Sequence, residues 1–303
     1  MTSIEVVPLT GRIGAEIRGV DLSEDLSGAT FGAVHQAVLA HRVVFFRDQQ
    51  RLDSEGQIRF ARRFGALTTA HPTVPSVAEA PTLLGLDSTT GGGRADQWHT
   101  DVTFVDRPPN FSLLRALIIP EVGGDTLWAS TVAGYDSLRP ELAQLADQLR
   151  TVHSNDYDYV KIDAASLSPA RVAYMRQFVS TVYETEHPLV RVHPDTGEKA
   201  LLLGGFVQRI VGYSTSQSAA LIDLLQGHVT KPDNTVRWHW REGDLAVWDN
   251  RSTQHYATYD YGQAHRKVER VTTVGTVPVG VDGQPSRALK GDASDYNAEA
   301  ESA

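Results

Sequence analysis

The sequence predicts a mainly β protein of the α+β class, a double-sheet jelly roll with flanking helices. Three observations predict it. Many short apolar or alternating runs are bounded by Gly, Pro and Asp, whereas only a few stretches carry helical spacing. Strands and helices do not alternate regularly. No Gly-x-Gly-x-x-Gly loop follows a strand, which argues against a doubly wound parallel sheet.

Taken in order, residues 4–9 and 13–20 read as strands joined at Gly11. Phe31, Val34 and Val38 recur at helical spacing up to His41, and residues 43–46 form a buried strand. Ser54 is expected to cap a helix carrying Ile58, Ala61 and Phe64, with Gly65 placed to stop it. The glycines at 91–93 make a loop leading into Trp98. Strands are then predicted at 111–119, 127–130, 189–193, 200–203, 235–240, 245–248 and 269–276. Two helices interrupt them, one through Leu142, Leu145 and Leu149, the other through Leu221, Leu224 and Leu225. There is no internal repeat and no linker, so residues 1–280 read as one domain. Residues 281–303, polar and rich in Gly, Ala, Ser and Asp, are expected to be a flexible tail.

A chain of 303 residues can bury roughly 75% of its unfolded surface, enough for a self-sufficient core. The net charge of -9 argues against a nucleic-acid partner, because phosphate contacts need a surplus of Lys and Arg. It leaves room for a small anionic substrate in a locally basic pocket. No apolar run is long enough to span a membrane, and residues 1–8 have no signal-peptide pattern, so a cytoplasmic enzyme is expected. With no cysteine, any metal site must use nitrogen and oxygen ligands.

The segment Trp98-His99-Thr100-Asp101-Val102-Thr103-Phe104 is the most informative. In an extended chain, residues two apart point the same way, so His99 and Asp101 can grip one cation together. They supply two members of a 2-His-1-carboxylate triad, the arrangement that suits non-haem iron(II) oxygenases. An H-x-D pair alone also fits an ordinary strand-end His and turn Asp. His255 is the candidate third ligand, because it follows the strand-to-loop junction Trp248-Asp249-Asn250-Arg251, and jelly rolls gather such ends at one mouth. Of the other histidines, His35, His41 and His228 read as surface or packing residues and His193 as a turn residue. His153, His187, His239 and His265 carry no ligand-like context. Further on, Arg266 and Arg270 are spaced by four, so an extended strand would put both on one face. That face could grip an anion through parallel hydrogen bonds, or it could be a solvated face with alternating charge.

Together these segments resemble the taurine dioxygenase (TauD/TfdA) family of 2-oxoglutarate-dependent oxygenases. The order W-H-T-D-V-T-F, G-G-D-T-L-W, W-D-N-R-S-T-Q-H and H-R-K-V-E-R matches that family over roughly residues 4–278. Within it, the alkylsulfatase branch is most similar, through Asn155-Asp156-Tyr157-Asp158-Tyr159-Val160, the run from Thr185 to Pro194, and Pro232-Asp233-Asn234-Thr235-Val236-Arg237-Trp238. The resemblance implies a double-stranded β-helix. It implies iron(II) held by His99, Asp101 and His255, with 2-oxoglutarate as cosubstrate and dioxygen as oxidant. Arg266 and Thr126 match the positions that hold the cosubstrate carboxylate. His71, Arg270 and the backbone amide of Val102 match those at the substrate's sulfur-oxo head group.

Taurine-specific members place a Tyr and an Asn around the substrate ammonium, where this chain has Thr73 and Ala95. An alkyl sulfate with an uncharged tail suits that replacement better than taurine. Oxidising its ester-bearing carbon would release an aldehyde and inorganic sulfate, alongside succinate and carbon dioxide. The alternatives are a related dioxygenase acting on sulfonates or aryloxyalkanoates, or a hydroxylase of a biosynthetic carboxylate. A non-catalytic jelly-roll binding protein would need the triad or Arg266 to be lost, and both are intact. The resemblance also implies a homo-oligomer, a dimer or a tetramer.

Overall fold

A computed structural model of the chain describes residues 4–77, 80–92, 94–156 and 168–298. Gly93, residues 157–160 of the Asn155 motif and residues 299–303 of the tail lie outside them. The chain opens on the expected antiparallel pair, β1 (Glu5–Pro8) and β2 (Ala15–Arg18). The second strand is shorter than expected because Gly14 turns the chain at φ +88°, a conformation that costs only glycine little. Next come α1 (Gly28–His41) and β3 (Val43–Phe46). In α2 (Ser54–Ala61) the cap is Asp53, not Ser54: its carboxylate accepts from the Gly56 N–H at 2.7 Å. Ser54 instead donates to Glu269 Oε2 at 2.7 Å, because a carboxylate in the opposing sheet offers a stronger acceptor.

The remaining elements are β4 (Leu84–Asp87), β5 (Phe111–Ile118), β6 (Thr126–Ser130), α3 (Thr131–Asp136), α4 (Pro140–Ala146) and β7 (Arg150–Ser154). There follow α5 (Pro169–Phe178), β8 (Glu184–Pro188), β9 (Val190–Val192), β10 (Lys199–Leu201), β11 (Val207–Ile210) and α6 (Thr215–Val229). The chain closes with β12 (Thr235–Trp238), β13 (Leu245–Asp249), β14 (Thr253–Ala257), β15 (Lys267–Thr272), β16 (Arg287–Lys290) and α7 (Ser294–Asn297).

A seven-stranded sheet in the order β1-β2-β3-β13-β5-β15-β4 forms one wall, antiparallel except between β2 and β3. The strict alternation of side chains explains how it supports two cores. Val44, Phe46, Leu245 and Val247 point to one face and pack with Val34 and Val38 of α1 and Phe60 of α2. Their neighbours Val43, Phe45, Ala246 and Trp248 point to the other face. There they meet Trp128 and Trp238 from the opposing sheet β12-β6-β14. Two sheets facing across an apolar interior, with helices outside, are the predicted double-stranded β-helix. Among the described residues, no helix is long and apolar enough to cross a membrane.

Several elements escape apolar patterning. β7 and β8 carry the sequences RTVHS and ETEHP, yet His153 and His187 are fully buried within them, 4.8 Å apart edge to face. His187 Nε2 donates to the Thr103 carbonyl at 2.6 Å, and His153 Nδ1 meets Thr103 Oγ1 at 2.9 Å. Burial holds His187 down to about 3 and His153 well below its ordinary value. Both are therefore neutral in the fold and take up protons on unfolding. Stability should be unaffected above pH ~6.5 and fall as pH drops towards ~3, by about 1.4 kcal/mol per histidine at pH ~5.5. Thermal melts across pH 7.5 to 5 would check this, and a His153→Gln, His187→Gln double variant with the same pH slope as wild type would refute it.

The tail expected to be flexible instead adds β16, paired antiparallel with β8, and α7, whose Tyr296 is 2% exposed. Polar composition concealed it, because its anchorage rests on a backbone ladder and one aromatic side chain. His193 opens a turn as expected, its Nδ1 accepting from the Asp195 and Thr196 amides at 3.2 Å, and its buried ring sits 2.9 Å from Asp249 Oδ2.

Candidate active site

His99 and His255 face each other across an antiparallel bridge, exchanging both backbone hydrogen bonds at 3.0 and 2.8 Å. β14 fixes one side of that bridge, since His255 pairs with Trp128 of β6. Two backbone bonds thus bring the distant segments together. The candidate ligand atoms of His99, Asp101 and His255 all lie within 4.8 Å of one another. His255 Nε2 is 3.8 Å from Asp101 Oδ1.

Hydrogen bonds orient two of the three donors, whereas His255 Nδ1 is buried with no hydrogen-bond partner among the described residues. His99 Nδ1 lies 2.7 Å from the Gln97 carbonyl, which can only accept, so the proton sits on Nδ1 and Nε2 keeps its lone pair. Asp101 is held through a relay. Trp248 Nε1 donates to Asn250 Oδ1 at 2.9 Å, Asn250 Nδ2 to Ser112 Oγ at 2.7 Å, and Ser112 Oγ to Asp101 Oδ2 at 2.7 Å. Arg270 Nη1 donates to the other oxygen, Oδ1. Val102 follows at φ +52°, a left-handed conformation costly for a β-branched residue, which buries its side chain immediately beyond the carboxylate.

Burial pushes Asp101 up, but the Arg270 guanidinium beside it, helped by the two neighbouring histidines and the Ser112 hydrogen bond, outweighs it and holds the carboxyl at about 2. Burial, reinforced by His99, lowers His255 to about 3. A buried carboxylate beside neutral imidazole is a hard oxygen and nitrogen donor set, and it fits a first-row divalent cation such as iron(II).

The triad opens into a cavity also lined by Arg266, Arg270, His71, Val102 and Thr126. All the predicted site residues therefore meet in one place. Arg266 Nε donates to the Gly124 carbonyl at 3.1 Å, while its Nη2 is buried with no hydrogen-bond partner among the described residues. Thr126 Oγ1 accepts from Trp240 Nε1 at 2.9 Å, which leaves its own proton to donate. Together they fit a carboxylate. His71 Nδ1 accepts from the Thr73 and Val74 amides, both at 3.1 Å, so its proton must lie on Nε2. Burial, then the Arg270 charge, lowers His71 to about 3, making it a neutral donor.

The rest of the wall combines the apolar side chains of Leu84, Leu86, Phe104, Phe178, Phe206 and Val268 with the polar ones of Arg94, Asp96, Gln97, Arg171 and Tyr174. Ala95 lines this wall, but the Thr73 hydroxyl turns away to donate to the Phe178 carbonyl at 2.9 Å. The remaining histidines lie outside the site. His239 pairs with Asp125 and His265 with Asp87, while His35 stacks against Phe31.

The chain is also similar to known proteins. The profile of the family described as taurine catabolism dioxygenase TauD, TfdA matches residues 5–272. The alpha-ketoglutarate-dependent sulfate ester dioxygenase of Pseudomonas putida is 54% identical, over 95% of this chain and 95% of its own length. The alkylsulfatase of Acinetobacter baylyi is 52% identical, over 92% of this chain and 88% of its own. A putative alpha-ketoglutarate-dependent taurine dioxygenase from Burkholderia xenovorans superposes with a TM-score of 0.83 at 40% identity, covering 96% of this chain and 99% of that one.

Proposed function

This chain belongs to the TauD, TfdA family of dioxygenases, and on that premise we propose that it oxidises the ester-bearing carbon of alkyl sulfates, releasing an aldehyde and inorganic sulfate. The observation that carries the reading is the convergence of two arginines and a neutral histidine donor on one histidine–aspartate–histidine cluster, in a cavity whose wall includes an apolar patch of Leu84, Leu86, Phe178 and Phe206. Iron(II) bound by His99, Asp101 and His255 would supply the activation of dioxygen, coupled to decarboxylation of 2-oxoglutarate to succinate and carbon dioxide.

The chain's own residues then divide the work. Arg266 and Thr126 hold the distal carboxylate of 2-oxoglutarate, one through the open edge of a guanidinium and the other through a hydroxyl. His71 Nε2–H, Arg270 and the Val102 amide hold the sulfate head group, which places the adjacent carbon next to the triad. Leu84, Leu86, Phe178 and Phe206 take the tail, and no side chain in the place of Thr73 or Ala95 presents a partner for an ammonium. Once hydroxylated, a carbon bearing both a hydroxyl and a sulfate ester collapses to the aldehyde without further help from the protein. The same reading carries a cytoplasmic location and a homo-oligomer, a dimer or a tetramer.

The test is a panel of alkyl sulfates, sulfonates and aryloxyalkanoates assayed for succinate and sulfate, run on wild type and two arginine variants. Arg266→Ala should raise KM for 2-oxoglutarate and Arg270→Ala chiefly that for the alkyl sulfate, each roughly 10- to 150-fold for loss of a charge-assisted contact. Arg270→Ala should also consume 2-oxoglutarate without matching sulfate release. Preferred turnover of an aryloxyalkanoate, or an Arg270→Ala defect confined to 2-oxoglutarate, would overturn the assignment.

A further inference from the structure

Beyond β15, the chain returns to the site through a segment that the proposed chemistry leaves unused. Tyr296 of α7 is 2% exposed and packs in a cluster with Val102, Phe104, Phe178 and Phe206, the side chains that wall the cavity. Its carbonyl accepts the Thr69 N–H at 3.1 Å, two residues before His71. On the other side of Thr69, the Thr68 amide donates to the Thr272 carbonyl at 3.0 Å, and the two threonine hydroxyls meet at 2.6 Å. Thr272 stands two residues after Arg270 on β15, so both residues point to the same face of the strand. The Tyr296 hydroxyl lies beside the Thr68 and Thr272 side chains and within the field of Arg270 and Asp101, with no well-formed hydrogen bond among the described residues. The segment carrying His71 is therefore held between β15 and α7.

We propose that the C-terminal segment, through Tyr296, is a positioning element for the head-group subsite, setting His71 relative to Arg270 while leaving the 2-oxoglutarate subsite alone. The two subsites differ in their supports. Arg266 and Thr126 rest on Gly124 and Trp240, and Trp240 packs in a different apolar cluster from Tyr296. His71 lies on a loop whose backbone is pinned by Tyr296, and such a loop loses its geometry when a buried aromatic ring beneath it is removed. The ring supplies the packing and the backbone carbonyl supplies the pin, so the hydroxyl is dispensable. Anchorage comes from α7 and from β16 on β8, supported by Arg287 Nη2 on Glu186 Oε2 at 2.9 Å.

This inference rests on the alkyl sulfate reading, and the test separates the two. Hexyl sulfate is the probe, with the iron(II)- and 2-oxoglutarate-loaded full chain of wild type, Tyr296→Ala and Tyr296→Phe. Tyr296→Ala should raise KM for hexyl sulfate about tenfold, leave KM for 2-oxoglutarate within about twofold, and form succinate in excess of sulfate. Tyr296→Phe keeps the ring and the carbonyl and should restore both the ester KM and the one-to-one ratio of products. An anaerobic fluorescence titration with hexyl sulfate gives the same comparison as a Kd, independently of turnover. If Tyr296→Ala does not fold, Tyr296→Leu takes its place.

The inference is overturned if the alanine variant weakens both substrates equally, if it weakens neither, or if phenylalanine does no better than alanine. A wild type that binds hexyl sulfate but releases no sulfate would sink the functional reading alone, because the binding arm still reads Tyr296. A wild type that does not bind it sinks both.

Discussion

Asp101→Ala should abolish the weak visible charge-transfer band that wild type is expected to give when iron(II) and 2-oxoglutarate are added without oxygen. Turnover should disappear with it. The carboxylate is the one anionic donor of the triad, and a hard cation loses more from its removal than from loss of either imidazole. Its environment leaves nothing to substitute, because Asp101 is 2% exposed and its neighbours Ser112, Arg270 and Asn250 are donors that face it directly or through the relay. The substitution also strands the Arg270 guanidinium, 8% exposed, without its carboxylate. Breaking a buried ion pair by removing one partner costs about 3–5 kcal/mol, so the metal-free variant should melt earlier than wild type. Asp101→Asn keeps the volume and one acceptor oxygen, and it separates loss of the band from loss of the fold. A folded Asp101→Ala with an unchanged band would place the metal elsewhere.

Trp248→Ala should lower stability by about 3–5 kcal/mol, as removal of a fully buried aromatic does. Trp248 is 1% exposed, packs 5.6 Å from Trp128 edge to face, and lies 5.0 Å from the His255 ring. Alanine leaves a cavity where the two sheets meet. It also frees Asn250 Oδ1 from the indole N–H that begins the relay to Asp101. Activity should therefore fall by more than the loss of folded protein explains, since the carboxylate loses its orientation. Trp248→Phe should recover most of the stability but not the relay, and urea unfolding of the three proteins is the measurement. A melt that did not move would mean that the indole is not in the core.

How much of this was legible beforehand follows from the range of each interaction. The paired strands β3 and β13 and the helices α1 and α6 announced themselves, because side-chain period is a local property that residues a few positions apart can express. The H-x-D pair was equally local, since an extended backbone by itself puts His99 and Asp101 on one side. The two arginines could be placed on one face, but whether that face met solvent or a cavity could not, because the answer depends on which sheet β15 joins. Thr126, His71 and Val102 came from the family pattern rather than from any local signal in their own surroundings.

Other features had no local signal. Polar strands such as β7, β8 and β14 are buried because partners from elsewhere in the chain satisfy them: Thr103 for His153 and His187, and the His99 backbone for His255. The relay from Trp248 to Asp101 joins β13, the turn after it, β5 and the 98–104 loop. The tail read as unstructured because its composition offers little apolar surface, yet one ladder to β8 and one aromatic ring fix it against the site. Sequence alone determined the fold class and the placing of His99 and Asp101 on one side of the chain, since these follow from residue type and short-range spacing, while His255 as third ligand and the iron chemistry came from the family resemblance. Only the tertiary structure decided which polar groups are buried, which guanidinium edge faces the cavity and what holds each ligand in place. Those depend on pairings between residues far apart in the chain, and a buried polar group takes its energy from the partner it finds there.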